Sequence, residues 1–310
     1  MTAPGRRYPS DRGFRNAINQ KIKERAHSLG RPAAELHREF YMQRMLARVF
    51  VDPTAPWILK GGTSLLVRIP GARHSQDLDL LHPHTDLEQA YNELRDLVAA
   101  PSPLDRLTFK LEVKKRNVNE GGTSVWQLKA TPFLGVNGLQ HFPIDLTAGK
   151  QLIGHIDRIT PAPTIDIEDV QPPPEFACYP LVDQIADKLA AMYEYHGEEQ
   201  APSTRWRDLA DLLLIISTSR FDAAALHLAL NHQRQHRAAL DLPPAIRLPG
   251  PRWEHSYPEI ARTIHRLPPE LHHTGNALAY LGQCMNPILN GSIAVGTWNH
   301  IDQAWTPEVA

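Results

Sequence analysis

The 310-residue chain has little cysteine, little net charge and no long hydrophobic run. Its two cysteines, Cys178 and Cys284, lie far apart and lack the short spacing of a zinc site, so we expect ordinary thiols of a cytoplasmic protein. No apolar run reaches 18 residues, which argues against a membrane-spanning helix. The first twenty residues lack the apolar core of a secretory signal peptide. Together these absences predict a cytoplasmic protein without a membrane partner.

Sixteen histidines do not replace the missing cysteines as zinc ligands. The densest groupings are HPH at 82–84, HQRQH at 232–236 and HH at 272–273. His232 and His236 lie one helical turn apart, but no third ligand follows at a recognised spacing. We therefore do not expect metal binding by histidine.

The net charge of −1 argues against avid nonspecific binding to nucleic acid, but the charge is unevenly spread. Residues 1–50 contain eleven Lys or Arg and four Asp or Glu. Residues 102–130 contain six and three. Such stretches can contact a phosphate backbone, and the first can equally be the solvated side of amphipathic helices. Composition leaves both interpretations open.

The hydrophobic pattern predicts an α+β fold, in which helices flank a mostly antiparallel sheet. The prediction has an N-terminal region at 1–159, a proline-rich linker at 160–174 and a helical domain at 175–310. In the first region we expect helices at 14–50, 60–68 and 85–100, with Thr63, Ser64 and Thr85 as caps, strands at 74–81, 107–118, 123–130 and 141–149, and a turn at 119–122. In the last region we expect helices at 179–196, 203–218, 221–238, 258–266 and 270–283.

A pair of aspartates is the first sign of chemistry. Asp77 and Asp79 are two residues apart on a predicted strand, so both point to one face, opposite Leu78 and Leu80. Carboxylates this close repel each other unless a cation neutralises them, and Mg²⁺ sites combine carboxylates with substrate phosphates. If the strand carrying Asp145 is adjacent, a third carboxylate joins them. Such a cluster can activate an attacking oxygen and stabilise leaving pyrophosphate.

The segment KGGTS at 60–64 precedes the aspartates and suits an anionic ligand. Gly61 and Gly62 let the backbone approach a ligand closely, and the following helix presents unpaired N–H groups. Thr63 and Ser64 add hydroxyl donors. The order of glycines, helix, strand and acid pair is the order that a nucleotidyltransferase catalytic region requires.

These residues resemble a known family. LKGGTSL followed by RHSQDLDL is similar to the AbiEii/AbiGii-type toxins, nucleotidyltransferases of bacterial toxin–antitoxin systems that include the MenT-type toxins. Two further family motifs follow, Lys-x-x-Ala in DQIADKLAAM and Asp-x-x-Asp-Leu in STRWRDLADLLLI. The four motifs stand in the family's order and span about residues 30–215. The last hundred residues share only the family's helical character.

The resemblance implies roles for individual residues. Lys188 would hold the triphosphate and offset charge on the leaving group. Asp208 shares a helix face with Asp211 and would belong to the active site, flanked by Arg205 and Arg207, whose roles the sequence does not separate. The predicted catalytic residues are Asp77, Lys188 and Asp208, the metal ligands Asp77, Asp79 and Asp145, and the nucleotide-binding residues Lys60, Gly61, Gly62, Thr63, Ser64, Ser75 and Arg207.

The implied fold is a nucleotidyltransferase-type mixed sheet flanked by helices, followed by a helical domain that contributes Lys188 and Asp208 to the site. The implied activity is Mg²⁺-dependent transfer of a nucleoside monophosphate from an NTP to RNA, with the tRNA 3′ end as acceptor, which blocks translation and growth. The resemblance alone favours CTP or UTP, and it implies an AbiEi-type antitoxin encoded nearby. Two alternatives remain: transfer to a protein or small-molecule hydroxyl, and an inactive NTP-binding module.

Overall fold

The computed structural model describes residues 7–118 and 124–307. The turn predicted at 119–122 lies outside these residues. The chain divides into two compact units, which are described separately. The first consists of Met1–Arg68, His74–Gln151 and Arg158–Cys178, and the second of Ile69–Arg73, Leu152–Asp157 and Tyr179–Ala310.

The first unit is a mixed sheet flanked by helices, as predicted. The helices are α1 (Asp11–Leu29), α2 (Ala33–Val49), α3 (Gly61–Arg68) and α4 (Leu87–Ala99); the strands are β1 (Ile58–Lys60), β2 (Leu78–His82), β3 (Leu107–Val118), β4 (Ser124–Leu134), β5 (Asn137–Gly138), β6 (Phe142–Ala148), β7 (Asp157–Ile159) and β8 (Phe176–Cys178). The strand order is β3-β4-β6-β2-β1-β8-β7, with β5 beside β4. The pairs β2–β6 and β1–β8 are parallel, and β1–β2, β3–β4 and β4–β6 are antiparallel.

One face of this sheet forms the hydrophobic core. Leu78, Leu80 and Ile144 are fully buried there, together with apolar side chains of α1, α2 and α4. Because side chains alternate along a strand, the residues between these leucines must face the other way. The core therefore determines which face carries the aspartates.

Several element boundaries in this unit differ from the sequence predictions. The single helix predicted over 14–50 is two helices, because Gly30 adopts a left-handed conformation (φ 61°) and its N–H closes the end of α1. The predicted strand at 74–81 begins only at Leu78, so Asp77 precedes it. The cap of α4 is Asp86 and not Thr85, since Asp86 accepts a hydrogen bond from the N–H of Gln89.

The proposed caps of α3 are also wrong. Because α3 begins at Gly61, Thr63 and Ser64 lie inside its first turn. Both side chains are buried, and the Thr63 hydroxyl donates to the carbonyl oxygen of Asp77 instead of to its own helix. Thr63 therefore ties the start of α3 to the residue that precedes β2.

A buried cluster of charges links α2 to β3. Arg44 Nε lies 2.7 Å from Asp105 Oδ2, and Arg48 Nη2 lies 2.5 Å from Asp105 Oδ1. All three side chains are at most 2% exposed. Arg44 also donates to the carbonyl oxygen of Gln171, so the cluster holds the proline-rich segment as well. Two of the eleven cations counted in residues 1–50 are therefore internal and are not part of a basic surface.

The segment 160–174 has no helix or strand, and it lies along α2. Ile165 and Ile167 are buried in the core of the first unit. Gln43 of α2 donates to the carbonyl oxygen of Ala162 and accepts from the N–H of Thr164. These contacts make the segment part of the first unit's packing.

The second unit is mostly helical. Two of its helices differ from prediction: the one expected at 258–266 begins at Trp253 with Pro258 inside it, and the one expected at 270–283 continues to Leu289. The helices are α5 (Leu181–Tyr193), α6 (Trp206–Ile216), α7 (Ala223–His236), α8 (Trp253–Ala261) and α9 (Thr274–Leu289), with a 3₁₀ turn at Pro269–His272; the short strands are β9 (Tyr195–His196), β10 (Ala201–Pro202), β11 (Phe221–Asp222), β12 (Thr297–Asn299) and β13 (Ala304–Thr306).

The substitution Asp105→Asn tests the buried cluster. It leaves Arg44 and Arg48 charged and without a countercharge, so we expect the free energy of unfolding to fall by about 3–5 kcal/mol. Urea denaturation measures this loss. The control is Asp96→Asn, which breaks an exposed pair with Arg95 and should leave the urea midpoint unchanged. If Asp105→Asn and Asp96→Asn were equally stable, Asp105 would not be the stabilising countercharge of Arg44 and Arg48.

Candidate functional site

Four polar residues form a row across the open face of the first unit's sheet. Asp79 on β2 is the register partner of Asp145 on the parallel strand β6 and of Lys60 on the antiparallel strand β1. Asp145 is in turn the partner of Gln127 on β4. Register partners on adjacent strands lie on one face, about 5 Å apart. This central row of Lys60, Asp79, Asp145 and Gln127 therefore joins the two predicted metal ligands that stand on strands.

The turn from β1 into α3 presses against Asp79. Gly61 has φ 62°, and a Cβ atom built on it would lie 1.8 Å from Asp79 Oδ2. Only glycine allows both this conformation and this approach. The sequence predicted that the glycine backbone approaches a bound ligand closely. In the structure, the group that Gly61 approaches closely is the Asp79 carboxylate.

Asp77 is held just before β2 by two hydroxyl groups. Its carboxylate accepts a hydrogen bond from Ser75 Oγ at 2.9 Å, and its carbonyl oxygen accepts from Thr63 Oγ1 at 3.0 Å. Ser75 is only 2% exposed. Ser64 is fully buried, and its hydroxyl has no hydrogen-bond partner among the described residues.

The surroundings of Asp145 disfavour the ionised form of its carboxyl group. Burial and the nearby negative charge of Asp77 both raise the pKa of Asp145 above its ordinary value. A cation between these carboxylates would relieve both penalties. Asp145 and Asp77, which are far apart in sequence, therefore lie close enough in the fold for their charges to interact.

The donor chemistry of Asp77, Asp79 and Asp145 fits a hard divalent cation, which prefers carboxylate oxygens. Within residues 7–118 and 124–307, no group of three His, Cys, Asp or Glu side chains is arranged to hold a metal unaided. Mg²⁺ commonly takes only one or two carboxylates and completes its shell with water and substrate phosphates. The residues therefore fit a cation that arrives with a phosphorylated substrate.

The second unit contains a chain of alternating charges. Lys188 Nζ on α5 lies 2.7 Å from Asp208 Oδ1 and 2.6 Å from Asp211 Oδ2, both on α6. Arg205 Nε lies 2.7 Å from the other oxygen of Asp208. Arg73 binds Asp211 through two parallel hydrogen bonds of 2.9 Å each. Three cations thus share two carboxylates.

Ion pairing outweighs burial in this chain of charges. Burial acts to lower the pKa of Lys188, but the charges of Asp208 and Asp211 raise it above its ordinary value. Burial likewise acts to raise the pKa of Asp208, but Lys188 and Arg205 lower it. These shifts favour the charged forms of Lys188 and Asp208, although the Lys188 side chain is only 9% exposed.

The structure separates the two arginines that flank Asp208, which the sequence did not. Arg205 pairs with Asp208, whereas Arg207 is exposed and forms no hydrogen bond or ion pair with a described residue. Arg73 was missed, because 138 positions separate it from Asp211. The sequence placed both Arg205 and Arg207 close to Asp208, three residues and one residue before it, and gave no signal that distinguished them.

The mixed sheet and the neighbouring carboxylates of the central row are the arrangement expected of a nucleotidyltransferase. Residues 44–279 match the family described as "Nucleotidyl transferase AbiEii toxin, Type IV TA system". The chain belongs to this family of toxin–antitoxin nucleotidyltransferases, and membership implies a cognate antitoxin. The family predicted from four short motifs is thereby confirmed.

Two solved structures are similar to this chain. MenT4, a nucleotidyltransferase toxin from Mycobacterium tuberculosis H37Rv, is similar with a TM-score of 0.51 and 17% identity, covering 89% of this chain and 88% of that one. JHP933 from Helicobacter pylori has a TM-score of 0.44 and 15% identity, covering 83% and 94%. The MenT4 likeness concerns the fold alone. No curated protein matches the sequence. No helix in the described part of the chain is long and apolar enough to cross a membrane.

Two glycines with the same backbone strain test the approach to Asp79. Gly61 and Gly30 have φ of 62° and 61°, but a Cβ on Gly30 would meet nothing within 4 Å. We expect Gly30→Ala to cost about 1–2 kcal/mol of stability and to leave nucleotide transfer intact. Gly61→Ala must also displace Asp79, so we expect a larger decrease in Tm and loss of transfer. Equal behaviour of the two variants would show that the close approach has no role.

Removing the charge of Asp145 should stabilise the metal-free protein. A carboxyl whose folded-state pKa is raised opposes folding when ionised, and the penalty disappears as pH falls through that pKa toward the unfolded value of about 3.9. Asp145→Asn should therefore raise Tm by roughly 1–4 °C at pH 7.5, with no gain below about pH 4.

The control for this measurement is Asp241→Asn, whose side chain is 65% exposed beside Arg247. This variant should not be stabilised at either pH. If the Tm of Asp145→Asn at pH 7.5 were equal to or below that of wild type, the ionised Asp145 carboxylate would not destabilise the folded protein as predicted.

Proposed function

We propose that this protein transfers a nucleoside monophosphate from an NTP, bound with Mg²⁺, to the 3′ hydroxyl of RNA, with the acceptor end of tRNA as its target. The observation that carries the proposal is the central row, in which Asp79 and Asp145 lie side by side near Asp77. Adjacent carboxylates with one raised pKa are suited to a cation that brings phosphates with it.

In the proposed reaction, the acceptor oxygen attacks the α-phosphorus of the NTP. The new P–O bond forms as the bond to the bridging oxygen of the β-phosphate breaks, pyrophosphate leaves, and the hydroxyl proton passes to water. Asp77, Asp79 and Asp145 would hold Mg²⁺, which lowers the charge of the phosphates and orients them when bound. Ser75 holds the Asp77 carboxylate in position, and Gly61 fixes Asp79 against the turn.

The phosphate-binding roles of Lys60, Gly61, Gly62, Thr63, Ser64, Ser75 and Arg207 remain proposals. Among them, Gly61 and Ser75 have direct contacts that tie them to the carboxylates. The buried Ser64 hydroxyl is the least suited to meet a nucleotide.

Lys188 and Asp208 are proposed to be required for the same reaction. Lys188 is already bound to two carboxylates, so its role includes keeping α5 and α6 in a fixed relation. Lys188→Met leaves Asp208 and Asp211 without their shared cation, whereas Lys188→Arg retains the charge. We propose CTP or UTP as the nucleotide, an AbiEi-type antitoxin as the cognate partner, and the cytoplasm as the compartment.

A labelling experiment tests the activity. Purified protein is incubated with Mg²⁺, total cellular RNA and each α-labelled NTP in turn, and products are separated by size. Wild type should label RNA of tRNA size with one or two NTPs, and EDTA should abolish labelling. Asp77→Ala should reduce the rate at least about 100-fold, because several kcal/mol of transition-state stabilisation are lost.

Asp241→Asn is the matched control, since it removes one exposed carboxylate of the second unit and should label as wild type does. Label on protein and not on RNA would replace RNA by a protein hydroxyl as the acceptor. No label with any NTP would overturn the proposed activity.

A further inference from the structure

Three lysines lie on the same sheet face as the central row, toward the sheet's β3 edge. Lys115 on β3 is the register partner of Gln127, the β4 member of that row. Lys129 on β4 is the partner of Glu112, and Lys110 on β3 is the partner of Thr131. Register partners share a face, so Lys110, Lys115 and Lys129 form a lysine face continuous with Asp145 and Asp79.

A β-bulge places Lys115 on this face. The register shifts between Val113, opposite Leu128, and Lys115, opposite Gln127, so the strand gains one residue. Strict alternation from Leu111 would have pointed Lys115 toward the core. Bulges next to active sites commonly redirect a side chain in this way. The extra residue thus adds a cation to the face that carries the carboxylates.

Arg116 shows where the opposite face begins. Its guanidinium lies 4.0 Å from the ring centroid of Trp126, whose side chain is 7% exposed, and 3.5 Å from Glu88 of α4. Arg116 therefore covers the helix-packed side of the sheet, although it follows Lys115 directly. The side chains of Lys115 and Arg116, which are adjacent on β3, therefore lie on opposite faces of the sheet.

The lysine face carries excess positive charge. Lys110 and Lys114 lie 3.5 Å and 2.9 Å from Glu112, and hydrogen bonding to Lys114 together with these charges holds the pKa of Glu112 below its usual value. Lys115 and Lys129 form no ion pair with a described residue. Lys115 and Lys110 are exposed to solvent, and the Lys110 side chain is 67% exposed.

We infer that the lysine face binds the phosphate backbone of the RNA acceptor strand as it leaves the central row. Strands lie about 4.8 Å apart, so β3 is about 10 Å from the strand of Asp145. A strand whose 3′ hydroxyl lies at the carboxylates would then pass its next phosphates over β4 and β3. Lysine contacts with phosphates recognise the charge of the backbone and not the base sequence. Because such binding is electrostatic, its affinity falls as the salt concentration rises.

This inference rests on the proposed function, because it assumes that RNA is the acceptor. Direct binding separates the two. A fluorescent single-stranded RNA with a free 3′ hydroxyl is titrated with protein from 50 to 200 mM salt, and anisotropy gives Kd. The variants are Lys115→Gln/Lys129→Gln, the charge-retaining Lys115→Arg/Lys129→Arg, and Arg116→Gln as the control on the opposite face.

The Gln double variant should raise Kd about 5- to 10-fold at 50 mM salt and lower the slope of log K against log salt by about 1.4, or 0.7 for each lost phosphate contact. In the labelling reaction, the KM for RNA should rise while kcat at saturating RNA is retained. The Arg double variant should restore the slope, and Arg116→Gln should keep wild-type binding. Because the lysines lie at the surface, Tm should stay unchanged.

The outcomes are distinct. If wild type binds RNA and the Gln double variant binds it equally well with the same slope, the lysine face is wrong and the proposed function stands. If the Gln double variant binds RNA less tightly than wild type but wild type labels no RNA, the proposed function is wrong and the lysine face is still an RNA-binding surface. If wild type does not bind RNA at 50 mM salt, both are overturned.

Discussion

The pairing of β2 with β1 on one side and β6 on the other is the constraint on which the site depends. It aligns Asp79 with Asp145 and Lys60, and buries Leu78 and Leu80 on the opposite face. Slipping this register by one residue would turn the carboxylates into the core. The hydrophobic core therefore fixes the position of Asp145, where burial first and the nearby charge of Asp77 second raise its pKa.

The two units treat buried charge differently. In the first unit, Arg44 and Arg48 neutralise Asp105 completely, and this cluster serves packing. In the second, Lys188 is shared by Asp208 and Asp211, and Arg205 and Arg73 add two further cations. In the central row, Asp79 and Asp145 lie side by side near Asp77, and we propose that a metal-bound nucleotide binds at these carboxylates.

Sequence patterns failed mainly where a single residue changes the geometry. Gly30 divides one predicted helix into two, and an extra residue in β3 redirects Lys115. Neither event alters composition or average periodicity. The sequence did not separate Arg205 from Arg207, because both lie close to Asp208 along the chain. The entry into α6 turns Arg205 toward the carboxylate.

The sequence by itself determined the family, a sheet flanked by helices, and the strands that carry Asp79 and Asp145, because motif order and alternation are local properties of the chain. The mixed character of the sheet was implied only by the family resemblance. The sequence also indicated that Asp208 and Asp211 share a helix face, since residues three apart on a helix are neighbours. Tertiary structure alone decided that β6 lies beside β2, that Gly61 meets Asp79, and that Arg73 joins Asp211. Those contacts depend on strand order, a bulge and chain reversals over long separations. Their energies come from pairing and packing with residues that local patterns do not identify.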